Sequence, residues 1–167
     1  MPSMNLRQAT DADLNLVRTL SHDAYAPWEP ILGGAPLPVN EDYTPRIARH
    51  EVWIAERCGT AVGIMVLESA DDHLLIFSLA VPPAHHGQGI GQWMVRVAEQ
   101  MAEAAGLPEL RLYTSDRMTR NIAIYCRAGF YETGRRPNPY REGWVLVDMT
   151  KPVFGFGNSV SPRGERT

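Results

Sequence analysis

An unbroken apolar run, residues 74–81 (LLIFSLAV), passes through Pro82-Pro83-Ala84-His85-His86 into the turn Gly87-Gln88-Gly89-Ile90-Gly91. The turn opens directly onto an amphipathic stretch, 92–105. That order reads as strand, tight turn and helix start. Glycines at 87, 89 and 91 allow positive φ and a close approach of backbone to ligand. The first N–H groups of a helix find no partner within it, and the helix dipole favours negative charge at that end. Such a turn holds a phosphate or pyrophosphate with few cationic side chains. The same glycines also serve a plain strand-to-helix connection. No Gly-Lys-Ser/Thr follows, so the turn is not a Walker A loop. Its mid-chain position, with no acidic strand end about 20 residues on, argues against a dinucleotide fold.

The 167 residues suit one domain, 1–153, followed by a tail at 154–167 rich in glycine, serine and charge. Hydrophobic content of 44% and charged content of 21% are those of a soluble globular chain. A net charge of −3 at pH 7 argues against a nucleic-acid partner. Cys58 and Cys126 lie far apart and outside any metal motif, and two are too few for a disulfide framework. A reducing cytoplasm is the expected setting. Cys58 is expected in an exposed turn and Cys126 in the core. The N-terminus lacks the apolar segment of a signal peptide, and no run approaches the ~18 residues that span a bilayer. Neither secretion nor a membrane is expected.

Hydrophobic periodicity predicts strands at 5–9, 52–56, 62–68, 74–81, 110–114, 130–133 and 144–149. It predicts helices after Thr10 or Asp11, around 45–50, from the glycine turn to 105, and at 121–128. Arg57-Cys58-Gly59-Thr60 is a hairpin signal. Ile90, Met94, Val97, Met101 and Ala104 form the apolar stripe of the third helix. Residues 27–45 hold five prolines and the pair Gly33-Gly34, the composition of a lid or binding loop. The fold class expected is α/β of mixed α+β character, a mixed sheet with helices on both faces.

The strand end Leu79-Ala80-Val81-Pro82 precedes the turn His86-Gly87-Gln88-Gly89-Ile90-Gly91. A later segment reads Asn121-Ile122-Ala123-Ile124-Tyr125-Cys126-Arg127-Ala128-Gly129-Phe130. With these, the chain from about residue 5 to residue 149 resembles the GNAT superfamily of N-acetyltransferases. That family's turn is Arg/Gln-x-x-Gly-x-Gly/Ala and its later helix carries Asn-x-x-x-Tyr-x-x-x-Gly-Phe. His86 stands where Arg or Gln is usual. The resemblance implies a mostly antiparallel central sheet of about six to seven strands with a splayed central pair. It implies acetyl-CoA, or another acyl-CoA, as cofactor. The pyrophosphate would lie on the turn formed by His86, Gly87, Gln88, Gly89, Ile90 and Gly91. The pantetheine arm would run beside Leu79, Ala80 and Val81 as an added strand, and Asn121 would bond it. Tyr125, one helical turn later, would protonate the departing thiolate. A backbone N–H near Val81 would polarise the thioester carbonyl.

The activity so implied is N-acetyl transfer by direct attack of a primary amine, on a small molecule or a peptide N-terminus. A homodimer also fits the resemblance. The attacking amine must lose a proton. The central strand offers only Ser78 in its interior, and Glu68, Asp72 and His73 near the strand ends leave the base unassigned. Tyr25, Trp28, Tyr43 and Ser78 are candidate substrate walls. Asp23, Glu29, Glu41 and Asp42 make the proline-rich region acidic, which suits a cationic amine or merely a solvated loop. Asn121 equally suits a helix N-cap, and Tyr125 a packed helix tyrosine. His85 and His86 are adjacent, so their side chains diverge and no metal site is expected. A second reading is a non-catalytic acyl-CoA sensor. The missing strand carboxylate allows it; Tyr125 argues against it.

Overall fold

The computed structural model describes residues 3–153, and the expected tail at 154–167 lies outside the described residues. Seven strands form one sheet: β1 (Met4–Gln8), β2 (Val52–Arg57), β3 (Thr60–Ser69), β4 (Leu74–Ala80), β5 (Glu109–Ser115), β6 (Tyr131–Pro137) and β7 (Val145–Pro152). Their order is β1-β2-β3-β4-β5-β7-β6. Neighbours are antiparallel throughout except β4 and β5, which are parallel. Cys58 and Gly59 turn the β2–β3 hairpin with φ of 49° and 79°, the left-handed pair that a two-residue loop of this hand requires.

The β3 side chains alternate between two cores. Met65 and Leu67 join one, with α5 (Ile90–Ala104) packed over it. Ile64 and Val66 join the other, beneath Val17, Leu20 and Ala24 of α1 (Leu14–Tyr25) and Ile47 of α4 (Tyr43–Ala48). Helices therefore cover both faces. The stripe that α5 buries differs from the one its spacing predicts. Ile90 and Met94 are buried as expected, but Ala98 and Ala102 follow them inward, while Val97 is only half-buried and Ala104 is exposed. Alanines at these steps let the helix backbone lie close to the strands.

Residues 26–32 and 37–40 are helical rather than irregular. A 3-10 turn (Ala26–Trp28), α2 (Glu29–Leu32) and α3 (Leu37–Asn40) each carry a proline in the first turn, where a missing N–H breaks no helical bond. Tyr43 locks this segment to α1. It has no exposed surface, its hydroxyl donates to the Pro38 carbonyl at 2.5 Å, and Ser21 Oγ lies 3.0 Å from it. Burial pushes the Tyr43 hydroxyl above the usual tyrosine range. Tyr43 is therefore a core residue and not the substrate wall its loop position suggests. Tyr43→Phe is expected to cost about 1–2 kcal/mol, because Pro38 and Ser21 each lose a partner. The urea midpoint should fall at constant slope; an unmoved midpoint would refute this role.

β4 carries a bulge. Val66 pairs with Ser78 but Leu67 pairs with Ile76, which leaves Phe77 as an extra residue. Ile76 stays in the α5-side core and Phe77 packs on the α1 side. β4 and β5 hold parallel register only at Leu74↔Leu110 and Leu75↔Arg111, and then part. The splay thus begins where the bulge bends β4 away, at the centre of the sheet.

Candidate active site

Two cavities adjoin β4 beyond Leu75, where it parts from β5. The larger, about 330 Å³, is lined by Leu79, Ala80, Val81, the glycine turn and α6 (Thr119–Arg127). The smaller, about 100 Å³, lies between the proline-rich segment and the β6–β7 turn. Tyr25, Leu79, Asn121 and Tyr125 line both, so the two cavities meet at these side chains.

The turn leaves its backbone uncovered. Gly87 and Gly89 have φ of 72° and 74°, and a Cβ on either would meet no protein atom within 4 Å. Gly91 is different: it is helical, and a Cβ there would touch Leu79. No side chain caps α5, and its first helical bond runs from Trp93 N–H to the Gly89 carbonyl, 3.0 Å. The N–H groups of Ile90, Gly91 and Gln92 are thus left at the positive end of a 15-residue helix. Arg120 and Arg127 also line this cavity, and among the described residues no Asp or Glu does. Their spacing around Ile124, four residues before it and three after, puts them on one face of α6, which is the sequence signal for them.

Several sequence-predicted contacts change character here. His86 Nε2 donates to the Val81 carbonyl at 2.7 Å, so its ring ties the turn to the end of β4. Gln88 does not line the cavity; its side-chain oxygen accepts from Arg57 on the far side of the turn. The Ile90 side chain is in the core, which leaves its backbone for a ligand. Asn121 is not an N-cap: α6 begins at Thr119 with Met118 in the cap position. The Asn121 amide makes no side-chain hydrogen bond among the described residues and lies at the junction of the cavities. Trp28 lines the larger cavity rather than the smaller. Cys126 is exposed, not core.

At the junction the Tyr25 hydroxyl and Ser78 Oγ are 2.9 Å apart and buried. Burial raises the Tyr25 pKa. The Tyr125 ring packs edge-on against Phe130, 5.7 Å between centroids, and the residue lines both cavities. Burial, with Tyr25 nearby, holds the Tyr125 hydroxyl well above the usual tyrosine range, so it stays protonated at neutral pH. Glu68 does not reach the junction; it binds Arg46, which also binds Glu41 and Glu51 and covers the Phe77 ring at 3.9 Å. Asp72 and His73 bond each other at 2.7 Å, and neither lines the two cavities. No Asp, Glu or His lines the smaller cavity among the described residues.

The sequence reading missed much of the smaller cavity's wall. Tyr113, Met118, Asn138, Tyr140, Arg141 and Trp144 complete it opposite Leu32 and Leu37. Among the described residues no group of three or more His, Cys, Asp or Glu is placed to hold a metal ion. None of the described helices is long and apolar enough to cross a membrane.

The model of the acetyltransferase (GNAT) family matches residues 17–130. N-acetyltransferase family 8 member 3 of Rattus norvegicus is 39% identical over 88 residues, 49% of this chain and 39% of that protein. N-acetyltransferase family 8 member 2 of the same organism is 33% identical over 115 residues, 65% of this chain and 47% of that protein. The matches thus span less than half the length of these curated relatives. Among solved structures, the ribosomal-protein-S18-alanine N-acetyltransferase from Escherichia coli superposes with a TM-score of 0.71 at 17% identity, covering 99% of this chain and 100% of that one. The PaiA N-acetyltransferase from Thermoplasma acidophilum, solved with coenzyme A, gives 0.72 at 18% identity, covering 90% of this chain and 99% of that one. At such identities the structural likeness is one of fold.

Proposed function

The chain belongs to the GNAT acetyltransferase family, and on that premise we propose that it moves an acetyl group from acetyl-CoA to a primary amine by direct attack. The observation that carries this reading is the meeting of an anion-binding cavity and a second cavity at Tyr125, Asn121, Tyr25 and Leu79. A reaction between two bound partners needs such a junction.

In this mechanism the N–H groups at the start of α5, with Arg120 and Arg127, hold the pyrophosphate. The open edge of β4 beyond Leu75 pairs with the amides of the pantetheine arm, as an added strand would. Asn121 bonds the arm near the thioester. The Val81 N–H polarises the thioester carbonyl, while His86 keeps the Val81 carbonyl occupied and the strand end in place. The amine nitrogen attacks the carbonyl carbon, a C–N bond forms and the C–S bond breaks. Tyr125 gives its proton to the departing sulfur and regains one from solvent. The proton lost by the amine passes to water, since no carboxylate or imidazole lines the smaller cavity among the described residues.

That last point sets the pH profile. Without a protein base, only the fraction of acceptor already neutral reacts, so kcat/KM should rise tenfold per pH unit up to the acceptor's own amine pKa. The raised Tyr125 pKa keeps its acid form intact to beyond pH ~10, so no falling limb should intervene. Thiol release measured with two acceptors of different amine pKa should give inflections that move with the acceptor. A single inflection near pH 6–7, common to both, would show a protein base and refute this step.

A further inference from the structure

We infer that the acceptor carries an anionic group, of the carboxylate class, and that Arg141 reads it. The inference rests on the acetyl-transfer reading above and names the chemistry of its second substrate. The acidic residues of the proline-rich region, which suggested a cationic acceptor, do not line the smaller cavity. Glu41 is held by Arg46 at 2.6 Å. The cavity's charged lining residue is Arg141.

Arg141 is positioned rather than neutralised. Its guanidinium donates to the Leu32 carbonyl, 3.4 Å, and to the Ala35 carbonyl, which fix it to the opposite wall. It has no carboxylate partner among the described residues, and the remaining N–H donors of its planar fork are unspent. A fork left open in this way matches a carboxylate in two-point geometry.

The aromatic residues around it point the same way. An aromatic-lined pocket ordinarily suits a cation. Here three of the lining rings already carry a guanidinium: Arg117 and Arg141 lie over Trp144 at 4.2 and 4.6 Å, Arg136 lies over Tyr113 at 5.0 Å and Arg46 lies over Phe77 at 3.9 Å. A second cation would meet positive charge on each. An amine that also bears a carboxylate presents its nitrogen to the junction and its charge to Arg141.

The test is kcat/KM for matched acceptors, an amino acid and its primary amide, with L-alanine and L-phenylalanine as the two scaffolds. Rates are taken per neutral amine, so that the different amine pKa values cancel. The wild type should prefer the acids by at least tenfold. Arg141→Gln, which keeps amide donors near Leu32 and Ala35, should cut the acid-to-amide ratio at least tenfold. Arg141→Lys, which keeps the charge, should retain a preference for acids. A loosened wall would slow acid and amide together and leave the ratio alone. Equal or better use of the amides by the wild type, or a ratio unmoved in Arg141→Gln, overturns the inference while acetyl transfer stands. Acetyl-CoA binding with no thiol release from any amine overturns the acetyl-transfer reading, and this inference with it.

Discussion

Tyr125→Phe is expected to lower kcat for thiol release about 100-fold while leaving acetyl-CoA affinity unchanged. The substitution removes one oxygen and keeps the ring that packs on Phe130 at 5.7 Å. Its effect is therefore confined to the proton that the departing sulfur receives. Burial raises the pKa of this hydroxyl, so the acid form is fully populated in the wild type across the working pH range. The variant has no group to replace it: Tyr25, the other hydroxyl at the junction, is engaged with Ser78 at 2.9 Å. Steady-state rates with calorimetric Kd values separate the two quantities. An unchanged kcat would remove Tyr125 from the reaction and leave it a packing residue of α6.

Gly89→Val is expected to weaken acetyl-CoA binding by 100-fold or more, which corresponds to about 2.7 kcal/mol. Gly89 holds φ at 74°, a conformation that a β-branched residue adopts only with strain. No protein atom lies within 4 Å of the added Cβ, so the new side chain stands in the space above the N–H groups of α5 rather than against the fold. Gly106→Val is the control. It lies just past the other end of the same helix with φ 73° and the same open surroundings. The two variants should lose similar stability, and only Gly89→Val should lose the ligand. Equal affinity in both would place the pyrophosphate elsewhere.

The elements themselves were largely legible in the residues. Apolar runs, Gly59, Gly106 and Gly129 mark the strands and helix ends to within a few positions. The glycines of the turn, Asn121 and Tyr125, which the sequence singles out, all line the larger cavity. What was hidden depended on long-range packing. In the run 74–81 nearly every residue is apolar, so the bulge that starts the splay leaves no trace in the pattern. Tyr43 and Trp28 sit in one proline-rich segment, yet one is sealed against Ser21 and Pro38 and the other faces the larger cavity. An aromatic side chain serves either purpose, and only the path of the chain decides. Arg141 meets Leu32 across 109 residues of sequence, a contact no local pattern announces.

In the proposed reaction the two cavities join a donor and an acceptor. The most direct measurement follows free CoA and acetylated amine in one reaction, by thiol titration and mass spectrometry. The prediction is equal amounts of both products, formed together, with no acylated protein. Tight binding of acetyl-CoA without release of CoA by any amine, whether amino acid, amide, polyamine or peptide, would contradict the claim and favour a chain that senses acetyl-CoA without using it.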